Sequence, residues 1–247
     1  MWKRFDLSRP LPVIVSGILL GAFAGLVASV FLTVSGEPPI REAIAIEESR
    51  ADPAAVVEPE LVSRQQQSGV GRFAAYAIGG AAYGLLFGVA FFAMQGQPNP
   101  FRRALVAGSV LAGTMTLVPF LKYPPNPPAV GRPETLHERQ LLYLSLLFLT
   151  LVVLLFAARL SVRLRTTGWL EERRLVVVAL AVVAPLLVLL GVMPPAPDPI
   201  TAPANLVWHF RLASLGGNLM LWAVLAFSFG MLASAKQRER AHELTTS

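Results

Sequence analysis

Six stretches of the chain run without a single Asp, Glu, Lys, Arg or His: residues 11–34, 73–94, 105–121, 141–158, 175–193 and 212–232. Each is 17 to 24 residues long, the length that about 30 Å of hydrocarbon demands of a helix rising about 1.5 Å per residue. Their apolarity is continuous, whereas a barrel strand alternates apolar and polar positions, so only helices satisfy the backbone of such runs inside lipid. The pattern predicts an all-α, polytopic integral membrane protein with six transmembrane helices. The stretch at 105–121 is the shortest, which makes five spans the alternative count.

The charges between the stretches test that count, because cytoplasmic loops are richer in Lys and Arg. With the N-terminus inside, the inner segments 1–10, 95–104, 159–174 and 233–247 hold 13 basic and 5 acidic residues. The outer segments 35–72, 122–140 and 194–211 hold 8 basic and 10 acidic residues. Five spans would merge loops of opposite character, so count and orientation support each other. The reading is a single membrane domain over residues 1–247, multi-pass, with both termini cytoplasmic. It includes an extracytoplasmic acidic loop at 35–72 and a cytoplasmic tail at 233–247. Lys3, Arg4 and Arg9 precede the first apolar run as in a signal sequence. That run exceeds the usual apolar core of about 7–15 residues and no small-x-small cleavage site follows, so it reads as an uncleaved first helix.

Composition narrows the class. The chain is 54% hydrophobic and 15% charged, with a mean hydropathy of +0.58, against roughly 25% charged in a soluble domain. A soluble enzyme is excluded on these figures, because the exposed apolar surface would exceed what water tolerates. The net charge of +6 and pI near 10.3 do not point to nucleic acid, since the basic residues form no dense or aromatic-interleaved tract. There is no cysteine, hence no disulfide, thiolate metal site or cysteine nucleophile.

Small residues then indicate how helices meet. Gly17, Gly21 and Gly25, then Gly80, Gly84 and Gly88, and then Ala104, Gly108 and Ala112 each recur every four residues. Such stripes clear one helix face and let a neighbouring backbone approach closely. A shift of 70 residues aligns Tyr123-Pro124-Pro125-Asn126-Pro127 with Met193-Pro194-Pro195-Ala196-Pro197. A stub follows each, carrying His137 and Arg139 in one case and His209 and Arg211 in the other. Pro38 and Pro39 form a looser version after the first span. The unit is helix, proline-rich outer loop, helix, so the fold is three parallel helical hairpins. Prolines remove backbone donors and stiffen these loops toward an extended form, which suits them to cap helix ends or to roof a cavity.

Catalytic patterns are missing. There is no GxxxxGK[ST], GxSxG, HExxH or GxGxxG, and the spans hold no titratable acid or histidine for chemistry within the bilayer. No enzyme activity, catalytic residue or cofactor is expected. The polar groups inside spans include Tyr83, Thr114, Thr116 and Asn218, the last suited to bond a neighbouring helix or to meet a transported ion. Acidic and imidazole groups gather in the outer segments. Residues 39–48 alternate Ile40, Ala43, Ile44 and Ala45 with charges at helical spacing, which predicts a short amphipathic helix on the membrane surface. Glu47 and Glu48 on it, with His137, His209 and Asp198, are the candidate metal contacts, since a divalent cobalt, nickel or zinc ion suits imidazole and carboxylate ligands.

The residues also resemble a known family. Val118 to Gly131, followed by Pro133 and Thr135, looks like the central signature of the CbtA family, the predicted cobalt transporter subunits of bacteria. The outer-loop residues Glu37-Pro38, Ile40, Ala43-Ile44 and Glu47-Glu48 are similar to the family's loop, and so is the closing segment from Leu206 and Trp208 through Phe210–Gly216 to Leu221–Ala223. The resemblance implies a permease subunit of the bacterial cytoplasmic (inner) membrane that takes up Co²⁺ for cobalamin biosynthesis. It also implies a small single-span partner of the CbtB type, alongside membrane lipids and other membrane subunits. Position 2 is Trp2, whereas the membrane component of energy-coupling cobalt and nickel importers has histidine there, so the transporter class differs. The alternative is a non-transporting structural or accessory subunit that binds other membrane proteins through its glycine faces. A transporter of a small organic solute is a third.

Overall fold

The structure is a computed structural model that describes residues 7–50, 69–94, 99–128 and 130–246. The second half of the expected acidic loop, with Asp52, Glu58 and Glu60, lies outside the described residues, and so does Ala129 of the first proline motif. Among the described residues there is no strand. The elements are α1 (Pro10–Ser35), α2 (Glu37–Arg50), α3 (Val70–Ala93), α4 (Pro100–Lys122), α5 (Leu136–Thr166), α6 (Glu171–Val192) and α7 (Ala204–Thr246). A 3₁₀ turn at Pro133–Thr135 leads into α5. All but α2 are long and apolar enough to cross a membrane, which makes six spans and not five.

The helix ends follow from local chemistry. Proline opens α1 at Pro10 and α4 at Pro100, where its missing N–H removes nothing the helix could use. The Asn99 side chain caps α4 by accepting from the Arg102 N–H at 3.1 Å. Glu171 and Glu172 begin α6, favourably placed against the positive end of its dipole. Gly168, with φ of +78°, supplies the left-handed turn between α5 and α6 that a side chain would resist. The helices overrun the charge-free stretches because their flanking Arg, Glu and Gln residues are good helix formers once the apolar segment has nucleated the turn.

Packing runs along the small residues. Gly17, Gly21 and Gly25 of α1 face Gly80, Gly84 and Gly88 of α3. A Cβ on Gly21 would stand 2.7 Å from the Gly84 Cα, and one on Gly88 2.9 Å from the Ile14 Cα, so the two backbones touch with no room for a methyl group. α4 packs on α7 in the same manner, with Gly108 against Ala226. Gly216 and Gly217 of α7 receive Phe31 and Leu32 of α1. The core therefore belongs to α1, α3, α4 and α7, around Val13, Phe87, Phe91, Leu225 and Phe229. Packing partners cross between the second and third hairpins: α4 lies on α7 and α5 on α6. The hairpin connectivity stands, while lateral pairing goes to whichever faces carry small residues. No residue of α6 is fully buried.

α2 is the expected amphipathic helix, longer than the 39–48 segment that suggested it. It follows α1 directly after Gly36 and buries Glu37, Pro39 and Ala43 against α1 and α7.

Candidate functional site

Near its C-terminal end α4 departs from regular geometry, and the site begins there. The helix is regular over Pro100–Ala112, widens into a π-helical turn over Gly113–Leu117 and returns to α-helix over Val118–Lys122. The Val118 N–H reaches back to the Gly113 carbonyl, a bond spanning five residues. Pro119 follows at once. It has no N–H to give, so a carbonyl of the Thr114–Met115 turn is left without its ladder donor. Such widened turns are rare and concentrate where helices serve a site.

Beside this turn lies a cavity of about 330 Å³, lined by Tyr83, Met115, Thr116, Pro119, Phe120, Tyr123, Pro125, Tyr143, Ser214, Leu215 and Asn218. It carries no charged side chain. The Asn218 amide group donates to the Ser214 carbonyl at 2.9 Å, which leaves its oxygen as an acceptor. Below it, the Trp222 indole N–H donates to the Thr116 hydroxyl at 3.1 Å, and the Trp222 and Tyr83 rings lie 5.1 Å apart. Farther along, Phe87, Phe91 and Phe229 fill the bundle with ring centroids 4.7 to 6.4 Å apart. The Arg103 guanidinium sits 3.6 Å over the Phe91 ring. The cavity thus belongs to the proline-loop end, and the other half is closed by aromatic packing.

The two proline loops are bound to each other above it. Lys122 Nζ donates to the Leu190 carbonyl at 2.9 Å, and the Tyr123 hydroxyl to the Pro194 carbonyl at 2.8 Å. Arg211 holds the Pro125 carbonyl at 3.3 Å and Asn126 Oδ1 at 2.9 Å. Asp198, its carboxylate only 3% exposed, takes the Thr135 hydroxyl at 2.6 Å and the Arg132 backbone N–H at 3.3 Å, with Arg139 Nε 3.3 Å away. Gly131 turns the chain into this cluster with φ of +107°. The hydrogen bond from Thr135, opposed by burial and aided by Arg132 and Arg139, holds the Asp198 carboxyl below the usual carboxylate range.

A second hollow at the same end, about 380 Å³, is lined by Phe31, Ser35, Pro38, Pro39, Glu42, His209, Leu212 and Ala213. Next to it Arg72 bonds Glu37 at 2.7 Å and the Thr33 hydroxyl at 3.0 Å, tying α1, α2 and α3 together. A larger hollow of about 770 Å³ lies on the flank of α1, α4 and α7 among Phe23, Leu105, Gly108, Ala112, Leu219 and Phe227. It has the largely apolar wall of a lipid-facing groove, in which Ser109, Ser228 and Trp222 carry the polar atoms.

The residues singled out for metal binding lie in different places. His209 lines the second hollow together with Glu42. His137 is exposed on the first turn of α5, and Glu47 and Glu48 are exposed near the end of α2. Asp198 is engaged by Thr135, Arg132 and Arg139. Among the described residues no three His, Asp or Glu side chains form a group able to hold a metal ion. Sequence reasoning singled out Tyr83, Thr116 and Asn218 as polar groups within spans. It missed Tyr143, Met115 and Trp222. The signal that could have found them is Pro119, a proline inside a span just after two threonines.

The model of a family described as "Probable cobalt transporter subunit (CbtA)" matches residues 12–234. No curated protein and no solved structure matches the chain.

Proposed function

Since this multi-pass membrane protein belongs to the CbtA family of probable cobalt transporter subunits, we propose that it is the permease subunit through which Co²⁺ crosses the bacterial cytoplasmic membrane toward cobalamin biosynthesis. The proline-loop end is the outer face and both termini are cytoplasmic, a reading supported by the excess of basic residues in the segments at the other end. One observation carries the reading: a cavity of about 330 Å³ that brings Asn218, Thr116, Tyr83 and Tyr143 together within the bundle, at the end where the cation arrives. Glu47, Glu48 and His137 on the outer surface, with His209 and Glu42 in the second hollow, raise the local concentration of cations. Asp198 acts on the loops that roof the cavity. A transporter subunit has a partner protein, and a small single-span chain of the CbtB type is the partner proposed.

Cobalt content of cells that depend on this chain for uptake tests the proposal. Deletion abolishes accumulation at low external Co²⁺; unchanged accumulation overturns the reading. The second reading, a non-transporting accessory subunit, is favoured by the aromatic closure of the inner half and by α6, a span with no fully buried residue. Purified chain in sealed liposomes, alone and with the single-span partner, separates the two: Co²⁺ flux in either case supports the permease, whereas no flux in both supports the accessory role.

A further inference from the structure

We propose that the cavity beneath the proline loops receives the divalent ion as its intact aqua complex, recognising the coordinated water through hydrogen bonds and giving the metal no direct ligand. The proposal rests on the transport reading and specifies the form of the substrate at its site.

Three observations carry it. The lining offers neutral oxygen groups and neither carboxylate, imidazole nor thiolate: the Asn218 oxygen, fixed by the amide's bond to Ser214, and the hydroxyls of Tyr83 and Tyr143. Such groups do not replace the hydration of a doubly charged ion, whose transfer from water costs many kcal/mol unless charged ligands take over. The single thioether, Met115, does not change that balance. Next, the volume fits. Six waters at about 30 Å³ each fill roughly 180 Å³, well inside the 330 Å³ present. Finally, the chemistry is complementary. A hexaaqua ion presents only polarised O–H donors, and the Asn218 oxygen and the lining hydroxyls, whose O–H can rotate away, can accept from them. Binding of this kind is weak, which suits a station on a path that the ion must also leave. It also reads only the charge and size of the aqua ion, so Mg²⁺, which holds its waters tightly, competes with Co²⁺ at this site.

Hexaamminecobalt(III), whose ligands do not exchange, is the deciding probe, because it can occupy an outer-sphere site and no other. In cells whose cobalt uptake depends on the chain, external hexaamminecobalt(III) raises the apparent KM for Co²⁺ without lowering the maximal rate. Asn218→Leu and Tyr143→Phe each raise it roughly 3- to 10-fold, the factor that one lost neutral hydrogen bond carries. Tyr143→Phe removes one oxygen and leaves the packing, so it guards against simple misfolding. Uptake indifferent to hexaamminecobalt(III), with both variants at normal abundance and normal KM, overturns the proposal. If no chain-dependent uptake exists, the transport reading fails. Equilibrium dialysis of purified full-length chain against Co²⁺ and against hexaamminecobalt(III) then still decides the recognition mode. Equal retention of both, lost in Tyr143→Phe, supports it. Retention of Co²⁺ alone, with an absorption spectrum altered from that of the free aqua ion, overturns it.

Discussion

Asp198 looks from the sequence like a cation ligand, and the fold surrounds it with two arginines and a threonine. A dication there would be repelled by the groups that hold the carboxylate in place. The depressed pKa sets a sign for pH dependence. A carboxyl whose folded pKa lies below the unfolded value of about 3.9 contributes stability above that value and loses it as pH falls through the folded pKa. The thermal midpoint of the detergent-solubilised protein therefore exceeds that of Asp198→Asn by a constant amount at neutral pH. The gap closes below about pH 4; a gap that widens in acid contradicts the assignment. Trp222 and Thr116 supply a second residue-level test. Trp222→Phe keeps the ring and loses one hydrogen bond, costing about 1 kcal/mol, whereas Thr116→Val strands the buried indole N–H and costs about 1–3 kcal/mol. The double variant costs less than the two singles together, which denaturant unfolding of all four proteins measures. Residue types at the site were legible in part. Asn218 and Thr116 stand out as polar groups in apolar runs, but Trp222 reads as apolar until its N–H is seen to have a partner.

Whole elements were more legible, because span length is dictated by the bilayer and charge cannot be hidden within it. Helix pairing was legible only between α1 and α3, where two glycine stripes lie in consecutive spans and face each other. The partnership of α4 with α7 joins segments about a hundred residues apart: the Ala104, Gly108 and Ala112 stripe marks one side of it, and nothing in the sequence names its partner. The π-helical turn also escaped, since its bonding shift involves no unusual residue apart from Pro119. The α1–α3 contact gives a paired prediction. Gly84→Ala places a Cβ 3.0 Å from the Gly21 Cα and against the Gly17 carbonyl, and overpacking of this kind costs about 1–3 kcal/mol. Gly79→Ala, five residues away, meets nothing within 4 Å and is neutral or stabilising by up to about 1 kcal/mol, as helix propensity alone directs. Equal effects of the two in detergent unfolding would contradict the packing.

At the scale of the molecule, the chain has a built-in advantage for mapping its own orientation: it contains no cysteine. Single cysteines at Glu134 or Thr201 react with an impermeant thiol reagent added outside intact cells. Those at Thr167 or Gln237 react only after the membrane is opened. The reverse pattern contradicts the proposed orientation. All four side chains are exposed, so the labelling reports sidedness and not burial. Charge placement is what the proposed orientation rests on, whereas the closure of the half away from the proline loops by Phe87, Phe91 and Phe229 depends on rings brought together from α3 and α7 and had no linear signature. The position of α7 has a bearing on biogenesis. It packs on both α1 and α4, so the core stays open until α7 arrives, although α1, α3 and α4 leave the ribosome well before it. A chain interrupted before residue 204 leaves the small-residue faces of α1 and α4 unfilled, and quality control of this protein is in effect a test for α7.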